Sequence, residues 1–197
     1  MNNTSRGNNQ SPVRRQVVCP PWLCFTFDNI FRKLLQNPEH ILKPYIKKGW
    51  TILDVGPGLG YFTIPLARLV GDTGKVIAAD LQQKMLDGIY HRAVRAGVQD
   101  RIKLQLSKTD SIGITEPVDF CLAFWMVHEV TDRSGFLNEI STHLKPDGLL
   151  LLVEPRLHVS RKDFEQTLVI AEKAGLLKIA QPEIFMSYAA LYNKHAK

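Results

Sequence analysis

Residues 50–60 read WTILDVGPGLG, and a second apolar stretch further on, VIAAD, ends at Asp80. The first is an apolar run closed by an acid, Asp54. It passes into a turn holding Gly56, Gly58 and Gly60 before a helical pattern starts at Tyr61. Two such runs, each ending in a carboxylate and separated by a glycine turn, are how a parallel α/β sheet builds a nucleoside pocket at its strands' carboxyl ends. The glycines let backbone approach a ligand, and the second acid can accept hydrogen bonds from ribose hydroxyls. The chain is expected to bind something that carries a ribose.

The glycine spacing narrows the ligand. In the dinucleotide fingerprint G-x-G-x-x-G the third glycine lets helix and strand pack closely under a pyrophosphate. Here that position is Tyr61, because the register runs Gly56-x-Gly58-x-Gly60. Asp54 points the same way, since a carboxylate beside two phosphates would repel them. No Gly-Lys-Ser/Thr follows the loop, so a Walker-type site is excluded. The pattern suits a nucleoside bearing positive charge.

On these residues the chain resembles the class I S-adenosylmethionine-dependent methyltransferases. That family's first motif, an acid followed by x-G-x-G-x-G, is matched by Asp54, Gly56, Gly58 and Gly60, and its second-strand acid by Asp80. The likeness covers roughly residues 38–194. It implies S-adenosylmethionine as cofactor, held by the loop residues Asp54, Gly56, Pro57, Gly58, Gly60 and Tyr61. Asp80 would bind the ribose and Leu81 would lie under the adenine ring. After IKLQL, Asp110 resembles the family's acid on the adenine amino group, with Ser111 beside it; Asp110 also reads as a carboxylate that caps a turn. Phe124 would close the pocket from the fourth strand.

Length and composition agree with one enzyme-sized domain. At 197 residues and 45% hydrophobic content the chain can bury one sizeable core without staples. No apolar run approaches the ~20 residues of a membrane span, and no signal peptide is recognisable. Cys19, Cys24 and Cys121 do not make a disulfide framework, so a reducing cytoplasm is expected, with Cys121 in the core. The net charge of +6 is concentrated at the ends, through Arg6, Arg14 and Arg15 ahead of the first acid and Lys194 and Lys197 at the other terminus. It therefore reads as solvated tail charge rather than a nucleic-acid face.

Alternating patterns predict a doubly wound α/β fold with helices on both faces of a mostly parallel sheet. Strands are expected at 51–55, 76–79, 102–106, 118–124, 149–154, 177–185 and 187–192. Helices are expected at 28–35, 38–46, 61–70, 82–96, 134–144 and 160–174. A short turn near residue 186 would make the last two strands a hairpin, which puts an antiparallel strand into the sheet. The resemblance implies the same seven strands with one reversed. Residues 1–18 read as a disordered basic tail, 19–48 as a lid or helical segment, and 49–197 as the cofactor-binding domain.

The fourth strand runs into Phe124-Trp125-Met126-Val127-His128-Glu129. Relatives that methylate adenine N6 or glutamine amides carry Asn/Asp-Pro-Pro-aromatic at this place, and this chain does not. It offers an aromatic wall with one imidazole and one carboxylate, which fits an ionisable small-molecule nucleophile such as a thiol, hydroxyl or amine. His128 is the candidate general base, since an imidazole can take a proton at neutral pH. It also reads as a histidine that bonds a neighbouring loop. Trp22, Trp125, His128 and Glu129 are the candidate substrate contacts.

The stretch Cys19-Pro20-Pro21-Trp22-Leu23-Cys24-Phe25 reads as a lid over the cofactor or an apolar strap on the core. A soft metal or metalloid on Cys19 and Cys24 is a weaker reading, because two thiols without a third ligand make a poor site. No metal is assigned. An RNA acceptor is permitted by the basic tail, and a cofactor-binding module without catalysis is the other class left open. No motif speaks to oligomeric state.

Overall fold

The computed structural model describes residues 36–194. Helix α1 is Pro38–Leu42, followed by β1 Thr51–Val55, α2 Thr63–Leu69, β2 Lys75–Asp80, α3 Gln83–Ala96 and β3 Ile102–Leu106. Then come β4 Val118–Phe124, α4 Arg133–His143, β5 Leu144–Pro155, α5 Arg161–Lys173, β6 Leu176–Ala180 and β7 Ser187–Lys194. Among the described residues these strands form one seven-stranded sheet in the order β3-β2-β1-β4-β5-β7-β6. β1 to β5 run parallel, and β7 is antiparallel to both β5 and β6.

The centre of the sheet is buried on both faces because β1, β2, β4 and the second half of β5 are largely apolar, whereas the edge strands β3 and β6 are more exposed. Leu53, Val55, Cys121, Ala123, Leu150 and Leu152 pack with Leu137 and Ile140 of α4 and with Phe164 and Leu168 of α5. On the opposite face Ile52, Phe120, Leu122 and Phe124 pack with Leu42 of α1 and Leu66 and Ala67 of α2. Strand order reverses between β1 and β4, which leaves a crevice at their carboxyl ends, the usual ligand position in such sheets. No helix among the described residues is long and apolar enough to cross a membrane.

Several element bounds differ from the sequence expectation, each for a local reason. α1 stops at Leu42, short of the expected residue 46, because Pro44 offers no N–H to carry the hydrogen-bond ladder on, although Lys43 itself keeps helical backbone at φ −51°, ψ −36°. α2 begins at Thr63 rather than Tyr61, since the glycine turn extends through Gly60, whose φ of +83° is left-handed. β5 starts at Leu144, through residues expected to be a turn, and its pairing with β4 shifts register between Val118 and Phe120. Asp147 absorbs that shift with a φ of +60°. β6 ends at Ala180 near Pro182, so residues 181–186 replace the short turn that was expected. The remaining strand and helix expectations within the described residues agree to within a residue or two. The segment 1–35, with the expected helix at 28–35, the contact Trp22 and the thiols Cys19 and Cys24, lies outside the described residues.

Candidate cofactor and active site

Three of the parallel strands end in a carboxylate: Asp54 on β1, Asp80 on β2 and Glu154 near the end of β5. Asp54 is 2% exposed and accepts a 2.7 Å hydrogen bond from the Thr63 hydroxyl at the start of α2. Burial pushes its carboxyl from 3.8 up to about 7; the Thr63 bond opposes that rise and the charge of Asp80 adds to it. Asp80 is also buried and accepts from the backbone N–H of Gln82 at 2.9 Å and from those of Gly58 and Leu81. Burial raises it to about 6, the backbone bonds work against the shift, and Glu129 contributes a like charge.

The glycines are required for different reasons. A side chain at Gly56 would bring its Cβ to 3.0 Å from Met126, and one at Gly60 would meet Ile89 at 3.1 Å. Gly58, with a φ of +55°, would meet nothing within 4 Å. Open space above a left-handed glycine whose N–H bonds Asp80, a carboxylate that Asp54 and Glu129 each oppose with like charge, is a cradle for a cationic group. The residues present thus fit a sulfonium nucleoside.

A carboxyl held at about 7 in the fold but near 3.8 in an unfolded chain makes the fold lose stability with rising pH. The contribution is full below 3.8, shrinks as the unfolded chain alone ionises, and levels off above about 7. Asp54→Asn is therefore expected to raise the Tm of ligand-free protein at pH 8 by several degrees, on the order of 5 °C, while weakening cofactor binding. Differential scanning fluorimetry with and without S-adenosylmethionine checks both signs.

The exit of β4 is an aromatic ledge. The Phe124 ring lies 4.2 Å from Phe62 and 5.5 Å from Trp125. Trp125 has a φ of +58°, an unusual backbone for so bulky a residue. Two bonds hold it there: its N–H donates to the Val153 carbonyl at 2.7 Å, and its indole Nε1 donates to the Ser187 hydroxyl at 3.0 Å. Tyr61 stands half-buried with its hydroxyl on the Gln36 carbonyl at 3.1 Å. Pro57 and Leu81 are also half-buried on their two loops.

His128 and Glu129 belong to the short 3-10 turn Val127–Glu129 that follows β4. The His128 backbone N–H donates to Glu154 Oε1 at 3.1 Å, and its ring Nδ1 lies 2.5 Å from Glu154 Oε2. Burial would lower the imidazole, but the bond and charge of Glu154, together with Glu129, raise it above 6.5 against the opposing charge of Arg133. His158 lies 6.5 Å away with its ring nearly parallel to that of His128.

Asp110 and Ser111 fall in a turn closed by pairing of Lys108 with Ser111. Asp110 is exposed, whereas the Ser111 hydroxyl donates to Glu139 of α4 at 3.0 Å. Glu139 also accepts from the N–H groups of Ile112 and Gly113, so it pins this turn to α4. The sequence reading missed Thr63, Glu139 and Glu154. Only Glu154 carried a signal, as the third acid at the end of an apolar strand.

Residues 53–152 match the family described as a methyltransferase domain. The chain belongs to the class I S-adenosylmethionine-dependent methyltransferases. The cofactor of this methyltransferase is S-adenosylmethionine. It is 30% identical over 110 residues to the ubiquinone/menaquinone biosynthesis C-methyltransferase UbiE of Escherichia coli, which covers 55% of this chain and 44% of that protein. The chain thus spans under half the length of the curated relatives it matches. Among solved structures, a SAM-dependent methyltransferase from Aquifex aeolicus aligns with a TM-score of 0.78 and 26% identity, covering 90% of this chain and 100% of that one. A SAM-dependent O-methyltransferase from Thermotoga maritima aligns over 93% of this chain and 68% of that one, with a TM-score of 0.64. At 20% identity that second likeness is one of fold alone.

Proposed function

We propose that this methyltransferase transfers a methyl group to a small-molecule nucleophile, a thiol, hydroxyl or amine. S-adenosylmethionine supplies an electrophilic methyl on a sulfonium. Asp80 accepts from the ribose hydroxyls, with Leu81 against the adenine and Asp110 at its amino edge. Ser111 shapes that turn through Glu139. Asp54 keeps the first loop acidic through its buried carboxyl, and Gly58 leaves room for the cation. Phe124, Trp125 and Met126 wall the acceptor's side and exclude water, and Glu129 adds negative charge there. Much of the acceleration then comes from holding the partners in line, an effect worth ~7–11 kcal/mol in favourable cases.

The observation that carries this reading is the acidic and aromatic character of the β4 and β5 exits. Glu129 and Glu154 meet the acceptor side beside Asp80, a field that repels nucleic-acid phosphates and tolerates a compact neutral or cationic acceptor. The Escherichia coli relative, named for ubiquinone and menaquinone biosynthesis, is in keeping with a non-polymeric acceptor.

Two experiments test the reading. Titration calorimetry should show binding of S-adenosylmethionine and S-adenosylhomocysteine and none of NAD. Tritiated-methyl transfer, screened over thiols, catechols, amines and bulk tRNA, should label a small molecule. Label in tRNA alone would replace the small-molecule reading with an RNA one, and cofactor binding without any transfer would favour a non-catalytic module.

A further inference from the structure

Glu154 grips a single residue with both oxygens. Oε1 takes the His128 backbone N–H and Oε2 faces the ring Nδ1, while the carboxylate itself is 1% exposed. A buried carboxylate that accepts a main-chain N–H and faces a ring nitrogen at 2.5 Å requires the proton on that nitrogen. The neutral ring then keeps its lone pair on Nε2. The charged groups facing the imidazole are Glu154 on β5, Glu129 in its own turn and Arg133 on α4, with His158 stacked beside it. Glu129 and Glu154 outnumber Arg133, so a proton arriving at Nε2 would be stabilised where it lands.

Building on the function proposed above, we infer that Glu154 is a positioning residue. It locks His128 in the tautomer that presents Nε2 as a proton acceptor, and so selects acceptors whose nucleophilic atom carries a removable proton. In the step this serves, the acceptor's X–H bond breaks and its proton goes to Nε2. The X–C bond forms to the methyl as the C–S bond breaks, and that electron pair stays on the sulfur, leaving a neutral thioether. The imidazolium then returns the proton to solvent. An aprotic nucleophile has no use for this device.

Glu154→Gln tests the inference cleanly. The amide can keep the backbone bond through its oxygen, but its NH2 then faces Nδ1 and forces the ring proton onto Nε2, as an Asp-to-Asn change does in a serine-protease triad. In ligand-free protein, 15N–1H spectra of His128 should show protonated Nδ1 in the wild type and protonated Nε2 in the variant. The imidazole pKa should also fall in Glu154→Gln. With 2-mercaptoethanol and catechol, both still protonated at neutral pH, as proton-bearing probes, kcat should drop about 100-fold or more with the Kd for S-adenosylmethionine unchanged. A merely structural clip would lower the Tm and leave the tautomer and kcat alone, which overturns the inference. Transfer to tetrahydrothiophene, a thioether with no proton to lose, in preference to both protic probes overturns it too. Absence of transfer to all three probes counts against the proposed function instead, and the ligand-free spectra then decide the role of Glu154.

Discussion

His128→Ala lowers kcat by about 10²- to 10⁴-fold at saturating S-adenosylmethionine, the range seen when a positioned general base is removed. The cofactor's Kd stays within error of the wild type, because the residues proposed to hold it, on the loops after β1, β2 and β3 and at Phe124, do not include His128. The backbone N–H of residue 128 can still donate to Glu154 Oε1, so the turn persists. Glu154 Oε2 loses its partner, and a buried acceptor left unmade costs ~1–3 kcal/mol. Some loss of Tm should therefore accompany the loss of turnover, and rates are to be compared well below either Tm. The wild-type pH profile should show an acid limb with a midpoint above the ordinary imidazole value, since the base must be neutral to act and its neighbours raise it. Unchanged kcat in the variant removes His128 from the chemistry.

Asp80→Ala should weaken S-adenosylmethionine binding by about 100-fold or more. Hydrogen bonds to a charged group contribute about 1.5–3 kcal/mol each, and the proposed ribose contact makes two. The change also strands the N–H groups of Gln82 and Gly58, which hold the two loops in register. Asp80→Asn separates these effects, because an amide oxygen can keep part of the backbone brace while losing the charge. Its affinity should fall between the two. Gly58→Val makes the complementary test, filling the open space over the loop with a β-branched side chain at a left-handed φ. Calorimetry that returns a Kd within threefold of the wild type for Asp80→Ala would sink the ribose assignment.

Much of this fold was legible because its central strands are largely apolar runs bounded by acids and turns. Thr51–Val55 and Val118–Phe124 are such runs and Ile102–Leu106 alternates apolar with polar residues, and the structure has strands over the same residues. At β5 the bounds differ because a turn sits inside a longer strand, and Leu144, ahead of it, already pairs with Val118. Lys145-Pro146-Asp147-Gly148 has turn chemistry and pairs with neither β4 nor β7; it loops out within β5 between Leu144, opposite Val118, and Leu149, opposite Phe120, with Asp147 left-handed. Asp54 and Asp80 could be named from one strand and one loop each. Glu154 could not, because its role exists only once β5 lies beside β4 and the turn after Phe124 folds back over it. Thr63 and Glu139 were illegible for a related reason: Thr63 acts only once the start of α2 folds back on β1, and Glu139 only once α4 lies against the turn at Ser111 and Ile112.

Trp125 owes its unfavourable backbone partly to Ser187, the first residue of β7. Backbone of that kind is worth ~1–3 kcal/mol of stored strain and persists only while its surroundings enforce it. Ser187 in turn donates to the Phe185 carbonyl at 3.1 Å, and the same exposed stretch accepts from the side chain of Gln36. Changes in the chain's final connection should thus reach the indole by releasing it. If the indole walls the acceptor as proposed, variation between residues 181 and 187 is a route to altered acceptor preference, and through Gln36 and Tyr61 it also reaches the edge of the glycine loop.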